Sequence, residues 1–381
     1  MTYDVVIAGA GPVGSAAAEE CARLGLSTLC IEEHGTIGHP VQCAGLLSNA
    51  AFAECRVSDR SVMNRVSGAR LFSGFGKNIL IDAKRTMACV VDRCAIDREM
   101  AGHAADRGAE FRLRTSVCGV QGNTVLTRGI YGHETIPFRV LIAADGPRSS
   151  IARYLGMERA RLFLAGIQVD IPRESDPRFV ELYPDAAPDF FGWAIPVTPS
   201  VTRVGMCTQA QVPERFDRFR KQFGDSSLNL VTGTLPLGVM PRTYGHRTLF
   251  TGDAAGLAKP TSGGGIYTGV RSARHAAATA AEACTCDRFD DSVLAGYERR
   301  WQADFGNELE LGFRILGMRQ RMTSEDVESI LAALDDPDII RTIEEYGDMD
   351  RPGIVVKKLL FKPGMFRLLG PLLATGLRSF L

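Results

Sequence analysis

A glycine-rich turn near the N-terminus limits the possible folds of this chain more than any other feature. Its glycines have the spacing Gly9-x-Gly11-x-x-Gly14 and follow an apolar run at residues 5–7, which predicts a buried strand. Residues 12–24 are rich in alanine, which favours a helix. A strand, such a turn and a helix in this order indicate a Rossmann-like unit, in which the N–H groups at the start of the helix bind a pyrophosphate.

The three glycines have different roles in such a unit. Gly9 permits the tight turn, Gly11 lets the backbone approach the pyrophosphate, and Gly14 lets the helix pack closely on the strand. A second apolar run at residues 26–31 predicts the next strand, and Glu32 stands at its end. A carboxylate there can accept hydrogen bonds from ribose hydroxyls, so we predict that Glu32 contacts a dinucleotide.

Two further segments of the same character occur later in the chain. Asp145-Gly146 follows a predicted buried strand, and Gly252-Asp253 follows another. A run of three glycines at 263–265 then precedes a long alanine-rich helix that is predicted to end near residue 283. Because these signals lie in three separate places, the sequence predicts a cofactor domain that is discontinuous along the chain.

Together the three segments resemble those of flavoproteins of the p-hydroxybenzoate hydroxylase type. Proteins of that family pair an N-terminal glycine fingerprint with DG and GD segments like those at 145–146 and 252–253. The resemblance implies that the cofactor is FAD. It also implies that Asp253 binds the ribityl chain and that the glycines at 263–265 let backbone N–H groups reach the flavin ring.

A closer resemblance is to the geranylgeranyl reductases, and its nearest form is the archaeal digeranylgeranylglycerophospholipid reductase group. Residues 40–45, Pro-Val-Gln-Cys-Ala-Gly, resemble the cysteine loop of that family. Residues 188–196 resemble its substrate motif P-x-x-Y-x-W-x-F-P, with Phe191 in place of the tyrosine and Ile195 in place of the phenylalanine. The resemblance covers about residues 1–300.

The glycine turn and the two resemblances together identify a set of candidate site residues. Cys43 is the candidate catalytic residue, either as a proton donor or as part of a gate over the flavin; the alternative is that it packs only as a small apolar residue. The candidate substrate contacts are Phe191, Trp193 and Pro196. The candidate cofactor contacts are Gly9, Gly11, Gly14, Glu32, Glu33, Ala44, Gly45, Leu47, Arg93, Val117, Asp145, Asp253, Gly265 and Ile266.

The activity implied by the family is saturation of isolated double bonds in geranylgeranyl or other prenyl chains, as in archaeal-type ether lipid biosynthesis. Three alternatives stay open. The pattern Phe191-x-Trp193-x-Ile195-Pro196 also resembles the W-x-W-x-I-P motif of flavin-dependent halogenases. An aromatic monooxygenase shares the fold and the DG segment. A binding protein that keeps FAD for structure alone would show no turnover with any reductant or prenyl lipid.

The expected fold is of the α/β class with three regions. Residues 1–66, 88–158 and 241–300 are predicted to form the Rossmann-like FAD-binding domain. Residues 67–87 and 159–240 are predicted to form a substrate domain built on an antiparallel β-sheet, and residues 301–381 a helical C-terminal region.

Composition limits the partners and the compartment. The net charge is zero, so no overall field attracts nucleic acid. Ten cysteines without a C-x-x-C pair are typical of reduced thiols in a cytosol, and the histidines lack the spacing of metal ligands. No secretory signal or transmembrane run is visible, so a cytoplasmic protein is expected.

No second dinucleotide fingerprint is visible, so the external reductant could be NADPH, a ferredoxin or a reduced deazaflavin.

The C-terminal segment has a distinct charge pattern. Residues 351–381 carry six basic residues and no acidic residue, with many leucines between the bases. Pro363 and Pro371 interrupt the run, so short amphipathic helices are expected. Such helices suit peripheral contact with an anionic membrane surface, here the inner face of the cell membrane. The alternative is that they cap the FAD domain and bury their leucines.

Overall fold

A computed structural model describes residues 2–74, 76–130, 132–359 and 362 of the chain. The strands are β1 (Tyr3–Ala8), β2 (Thr28–Ile31), β3 (Leu46–Ser48), β4 (Val62–Val66), β5 (Gly68–Phe72), β6 (Asn78–Asp82), β7 (Ala88–Val91), β8 (Glu110–Arg112), β9 (Ser116–Gln121), β10 (Thr124–Gly129), β11 (Gly132–Ala143), β12 (Leu162–Pro172), β13 (Phe179–Tyr183), β14 (Gly192–Thr198), β15 (Val201–Thr208), β16 (Leu228–Leu237), β17 (Tyr244–Gly245) and β18 (Thr248–Phe250). The helices are α1 (Pro12–Arg23), α2 (Asn49–Cys55), α3 (Arg93–Asp106), α4 (Ser150–Tyr154), α5 (Val212–Arg220), α6 (Ile266–Thr285), α7 (Asp291–Trp301), α8 (Asn307–Arg319), α9 (Ser324–Leu334), α10 (Pro337–Tyr346) and α11 (Pro352–Leu359).

The largest sheet is the framework for the three glycine-rich segments. Its central strands run parallel in the order β18-β11-β1-β2-β8, and the hairpin β9–β10 extends β11. β1 and β2 are buried almost throughout, as expected for parallel strands covered on both faces. Helix α1 packs against both α3 and α6, and all three helices contribute to the same apolar core. The glycine-rich segments follow β1, β11 and β18, so they meet at the carboxyl edge of this sheet.

A second sheet has seven strands in the order β16-β12-β15-β14-β13-β5-β6. All its neighbouring pairs are antiparallel except β5 and β13. One face is covered by α5, where Phe216 and Phe219 pack against Val169 and Ile171. The other face looks toward residues 40–45, to which it is tied by hydrogen bonds given below. A small sheet, β3-β7-β4, lies beside that loop.

The C-terminal part of the described chain is helical. α9 packs on β6 through Val327 and Leu331 against Ile79, and α11 packs on α10 through Leu359 against Ile339. Among the residues that the structure describes, no helix is long and apolar enough to cross a membrane. Of the basic segment 351–381, only residues 351–359 and 362 are described, and the remainder of the predicted membrane contact lies outside the described residues.

The α/β fold class and the helical C-terminal region are confirmed. The strand–turn–helix–strand unit at the N-terminus, the helix near 94–107 and the alanine-rich helix after residue 265 all form as predicted. α5 was missed within the stretch predicted as a sheet. It begins with a proline at its first turn, and its two buried phenylalanines are three residues apart, which is helical rather than strand spacing.

Candidate functional site

The glycine turn leaves open space at the start of α1. Gly9 has a φ of +98°, and a β-carbon there would lie 2.4 Å from the Ala144 carbonyl oxygen. A β-carbon at Gly14 would lie 1.8 Å from the Gly9 carbonyl oxygen. A β-carbon at Gly11, by contrast, would meet no described atom within 4 Å. Gly9 and Gly14 are therefore required by the fold, whereas Gly11 borders space that a ligand can occupy.

The carboxylate of Glu32 is fixed beside this turn. Its Oε2 accepts a hydrogen bond from the Ala10 backbone N–H at 2.8 Å, and its Oε1 accepts one from the His34 backbone N–H at 2.9 Å. The Thr115 N–H donates to the Glu32 carbonyl oxygen at 2.9 Å, which ties the start of β9, with Val117, to the same place. The side chain of the adjacent Glu33 is 65% exposed. Glu32 therefore lies at the turn, and its contact with a ribose stays a prediction.

Arg93 supplies a buried positive charge. It is the first residue of α3, and its Nη2 donates to the Asp97 carboxylate at 2.9 Å. Burial opposes the charge on its guanidinium, but the Cys43 sulfur and the Asp97 carboxylate raise the pKa of Arg93. Its buried Nε has no hydrogen-bond partner among the described residues. An unpaired buried donor is costly, and a phosphate oxygen would satisfy it.

Asp253 supplies a hydrogen-bond acceptor near the start of α6, just as Arg93 supplies a donor. Burial raises the pKa of its carboxyl to about 6, with Arg93 acting in the opposite direction. Within the described chain this carboxylate has no hydrogen-bond partner, and a β-carbon at Gly265 would lie 2.7 Å from its Oδ1. Ile266 begins α6 directly after Gly265. A half-buried acceptor without a protein donor fits the hydroxyls of a ribityl chain, so the open turn, Arg93 and Asp253 together fit FAD.

The Asp145 side chain stabilises the turn in which it lies. Its carboxylate accepts hydrogen bonds from the Ser149 Oγ at 2.8 Å and the Ile151 N–H at 3.0 Å, at the start of α4. Burial raises the pKa of this carboxyl. A β-carbon at Gly9 would lie 3.2 Å from the Asp145 Cα. The backbone of the DG segment therefore borders the glycine turn, while the side chain holds the segment in shape.

The cysteine loop ends in a constrained glycine. Gly45 has a φ of +73°, its carbonyl oxygen accepts from the Val91 N–H at 2.8 Å, and its own N–H donates to the Cys43 Sγ at 3.4 Å. The chain then enters β3, in which Leu47 pairs with Cys89 of β7. Cys43 and Ala44 are partly exposed, whereas Gly45 is buried.

On the face of the seven-stranded sheet that looks toward the cysteine loop, glycines and packed aromatic side chains form an apolar surface, which we call the trough. Three glycines form its floor: Gly166 of β12 pairs with Gly233 of β16, and β15, on the other side of β12, carries Gly205. Phe191 and Trp193, with ring centroids 6.2 Å apart, form one wall. The apolar residues packed around these rings are Leu162, Leu164, Phe190, Leu235 and Leu237.

Both the cysteine loop and the glycine loop before α6 face this trough. A β-carbon at Gly233 would lie 3.6 Å from the Gln42 Cβ. A β-carbon at Gly263 would lie 3.0 Å from Leu235 Cδ2 and 3.4 Å from Phe190 Cζ. The trough therefore lies between the predicted flavin loop and the predicted catalytic cysteine.

Pro196 is not brought to the trough. Side chains alternate along β14, so Trp193 and Pro196 point to opposite faces of the sheet. The Pro196 carbonyl oxygen instead accepts from the Asn64 side-chain amide at 2.9 Å. Phe191 and Trp193 lie on the trough face, and the role of all three residues as substrate contacts stays a prediction.

Some residues at the site carry no recognisable sequence signal. Gln168 and Arg203 hold the backbone of the cysteine loop. Lys259 and Asp350 form a buried ion pair behind it. None of the four belongs to a motif, and each became identifiable only through strand pairing or a long-range contact.

Comparison with known proteins agrees with this geometry. The family described as FAD binding domain matches residues 2–222. Digeranylgeranylglycerophospholipid reductase 2 of Methanothermobacter thermautotrophicus is 30% identical over 382 residues, covering 92% of this chain and 98% of that protein. The digeranylgeranylglycerophospholipid reductase of Methanocaldococcus jannaschii is 28% identical over 355 residues, covering 87% of this chain and 90% of that protein.

A solved structure shows the same fold. The geranylgeranyl bacteriochlorophyll reductase-like protein of Thermoplasma acidophilum superposes with a TM-score of 0.84 at 24% identity, covering 94% of this chain and 98% of that one. The expected cofactor, FAD, is confirmed by the family match. The chain therefore belongs to the FAD-binding-domain flavoproteins and, among them, to the family of the digeranylgeranylglycerophospholipid reductases.

Proposed function

We propose that this chain is an FAD-dependent reductase that saturates isolated double bonds of geranylgeranyl chains in archaeal-type ether lipids. One observation carries the proposal: the apolar trough is bordered on one side by the loop that contains Gly263 and on the other by the loop that contains Cys43. A hydrocarbon chain lying in the trough would be close to the predicted flavin loop and to the loop that carries the Cys43 thiol. The relatives named above supply the substrate class.

The chemistry of the substrate explains what the site must provide. An isolated trisubstituted alkene has no carbonyl to accept a hydride, so a proton has to be added to one carbon while a hydride is added to the other. Reduced FAD, when bound, supplies the hydride. The tertiary carbon carries positive charge during this reaction. The chain must therefore hold the alkene in a dry cavity, provide a proton and stabilise a developing cation.

Two groups on this chain suit those tasks. The Cys43 Sγ accepts the Gly45 N–H, and a thiol can act as a general acid that donates its proton. The rings of Trp193 and Phe191 present aromatic faces, each able to stabilise a desolvated cation by about 2 kcal/mol. The proton is therefore assigned to Cys43 Sγ and the stabilisation of positive charge to the aromatic wall.

Cofactor binding and lipid binding are proposed to belong to different parts of the chain. We propose that residues 1–66, 88–158 and 241–300 hold FAD and that residues 67–87 and 159–240 hold the lipid chain. The external reductant is proposed to be NADPH, a ferredoxin or a reduced deazaflavin. The basic segment 351–381 is proposed to bring the protein, expected in the cytoplasm, to the inner face of the membrane that contains the substrate.

Flavin reoxidation tests the proposal. FAD-loaded protein is reduced with dithionite under anaerobic conditions and mixed either with a geranylgeranyl phospholipid or with its fully saturated counterpart. The unsaturated lipid is expected to restore the absorbance of oxidised flavin, and the saturated lipid is not. Reoxidation by neither lipid, together with halogenation or hydroxylation of an aromatic compound in the presence of oxygen, would overturn the proposal in favour of the alternatives of the same fold.

A further inference from the structure

We infer that Gln168 is a positioning residue for Cys43: its side-chain amide fixes the peptide that follows the cysteine and so directs the thiol into the trough. The inference rests on the proposed role of Cys43. Gln168 lies on β12, between β16 and β15 of the seven-stranded sheet, and is 5% exposed. Its Nε2 donates to the Cys43 carbonyl oxygen at 2.9 Å.

A neighbouring strand holds the next carbonyl in the same way. Arg203 on β15 donates through Nη1 to the Ala44 carbonyl oxygen at 2.9 Å. Its guanidinium is itself held by Asp170 of β12, with Nε to Oδ1 at 2.8 Å and Nη2 to Oδ2 at 3.1 Å. Two successive carbonyls of the cysteine loop are thus bound by two paired strands, so the loop follows the sheet rather than moving independently.

The sheet has room for Gln168 because the opposite residue is a glycine. A β-carbon at Gly205 would lie 2.6 Å from the Gln168 Cβ and 2.6 Å from the Trp193 Cζ2. The backbone of Gly205 therefore separates the glutamine from the tryptophan without a side chain between them. The trough wall and the group that holds Cys43 are packed against the same residue.

The hydrogen bond to the Cys43 carbonyl oxygen sets the orientation of the Gln168 side-chain amide. Gln168 Oε1 and Trp193 Nε1 are both buried, and neither has a hydrogen-bond partner among the described residues. If the amide were reversed, its oxygen would face the Cys43 carbonyl oxygen, and two acceptors would repel each other. A glutamate at this position would create the same repulsion, so the site requires a donor as well as a side chain of this length.

Removal of the donor should loosen the loop without emptying the cofactor site. The described side-chain hydrogen bond of Gln168 goes to Cys43 and not to a predicted FAD residue, and the bonds of Gly45 to Val91 and of β3 to β7 remain. The thiol would then spend less time directed into the trough. We therefore expect a loss in kcat, with FAD affinity unchanged, and a thiol that is more accessible to small reagents.

The experiment compares FAD-loaded Gln168→Met and Gln168→Glu with wild type. Gln222→Leu is the matched control, because Gln222 Nε2 also donates to a carbonyl, that of Phe219 at 2.9 Å, on the α5 side of the sheet. One readout is the rate of iodoacetamide alkylation of Cys43, followed by mass spectrometry of its peptide. The other is kcat for prenyl reduction, measured in the wild-type and Cys43→Ala backgrounds.

The expected result is a faster alkylation of Cys43 and a fall in kcat, each of about three- to tenfold, as for the loss of one hydrogen bond. Gln222→Leu should change neither quantity. In the Cys43→Ala background, Gln168→Met should cause no further loss. Unchanged alkylation in both Gln168 variants, or an equal loss of kcat with and without Cys43, would overturn the inference. The alkylation readout needs no substrate, so it separates failure of this inference from failure of the proposed function.

Discussion

Lys259 and Asp350 form an ion pair that is almost completely buried, with side chains 8% and 1% exposed. Lys259 also donates to the Met349 carbonyl oxygen at 2.9 Å, and Asp350 accepts a hydrogen bond from the Ser48 hydroxyl. Lys259 begins the loop that leads to Gly263, and Ser48 ends the strand that follows the cysteine loop. The pair therefore joins both loops of the site to the segment before α11.

The first prediction concerns this pair. Removal of one partner leaves a buried charge uncompensated, so Asp350→Asn and Lys259→Met should each lower the free energy of unfolding by about 3–5 kcal/mol. The control is Glu310→Gln, because the Arg314–Glu310 pair is 74% and 63% exposed and should contribute less than about 1 kcal/mol. Urea unfolding of the three variants and wild type gives these values. Losses of the same size in all three variants would contradict the prediction.

The second prediction separates two glycines of one turn. Gly14→Ala would drive a β-carbon to 1.8 Å from the Gly9 carbonyl oxygen and should prevent the native packing of α1. Gly11→Ala meets no described atom within 4 Å, so the apoprotein should fold with near wild-type stability. The same methyl group blocks the approach of the pyrophosphate and should weaken FAD binding at least tenfold. Thermal unfolding of apoprotein and fluorescence titration with FAD measure both effects. Wild-type FAD affinity in Gly11→Ala would contradict the assignment.

The third prediction concerns the pH dependence of the apoprotein. Burial raises the pKa of Asp253 to about 6, above its ordinary value of 3.8. The native apoprotein therefore favours the neutral carboxyl, and the stability that this group contributes at low pH is lost as the pH rises from about 4 through about 6. Asp253→Asn stays neutral, so at pH 8 its apoprotein should be more stable than wild type by on the order of 2 kcal/mol.

Urea unfolding of apoprotein at several pH values checks this prediction. The difference between Asp253→Asn and wild type should disappear near pH 4. Loss of the acceptor in Asp253→Ala should in turn weaken FAD retention. Stability of Asp253→Asn equal to that of wild type at pH 8 would show that the carboxylate is not destabilising in the apoprotein.

These residues also show what the sequence could predict. The glycine turn and Glu32 could be read because their contacts are local: the Glu32 carboxylate binds Ala10 and His34 in the same βαβ unit. The role of Gln168 could not be predicted from the sequence, because it depends on the pairing of β12 with β15 and on a loop 125 residues away in the chain. The same applies to Lys259 and Asp350, which are 91 residues apart.

The alternation of side chains along a strand explains a further difference between the sequence motif and the structure. The motif at 188–196 groups Phe191, Trp193 and Pro196, but residues three apart on a strand lie on opposite faces. The structure therefore gathers the two aromatic residues at the trough and leaves Pro196 on the other side of the sheet. Asp145 likewise stands in a recognisable segment, yet its carboxylate is used by Ser149 and Ile151.

The fourth prediction concerns the membrane surface. Lys357 and Lys358 are exposed on α11, and each basic residue near an anionic surface contributes about 1 kcal/mol to binding. Lys357→Gln/Lys358→Gln should lower co-sedimentation with anionic vesicles, and a chain truncated after Asp350 should lower it further. Lys221→Gln, an exposed lysine beside α5, is the control. Vesicle binding that both C-terminal variants retain in full, with fold and FAD intact, would contradict the membrane contact.

The most direct test of the account is the mass of the lipid product. Dithionite-reduced, FAD-loaded protein is incubated anaerobically with a digeranylgeranyl phospholipid, and the lipid is analysed by mass spectrometry. The account predicts that wild type adds pairs of hydrogen atoms to the chains, and that Cys43→Ala and Cys43→Ser, although they retain FAD, add them far more slowly. A lipid of unchanged mass after incubation with reduced wild-type holoprotein would contradict the central claim, and wild-type rates in both Cys43 variants would contradict the assigned proton donor.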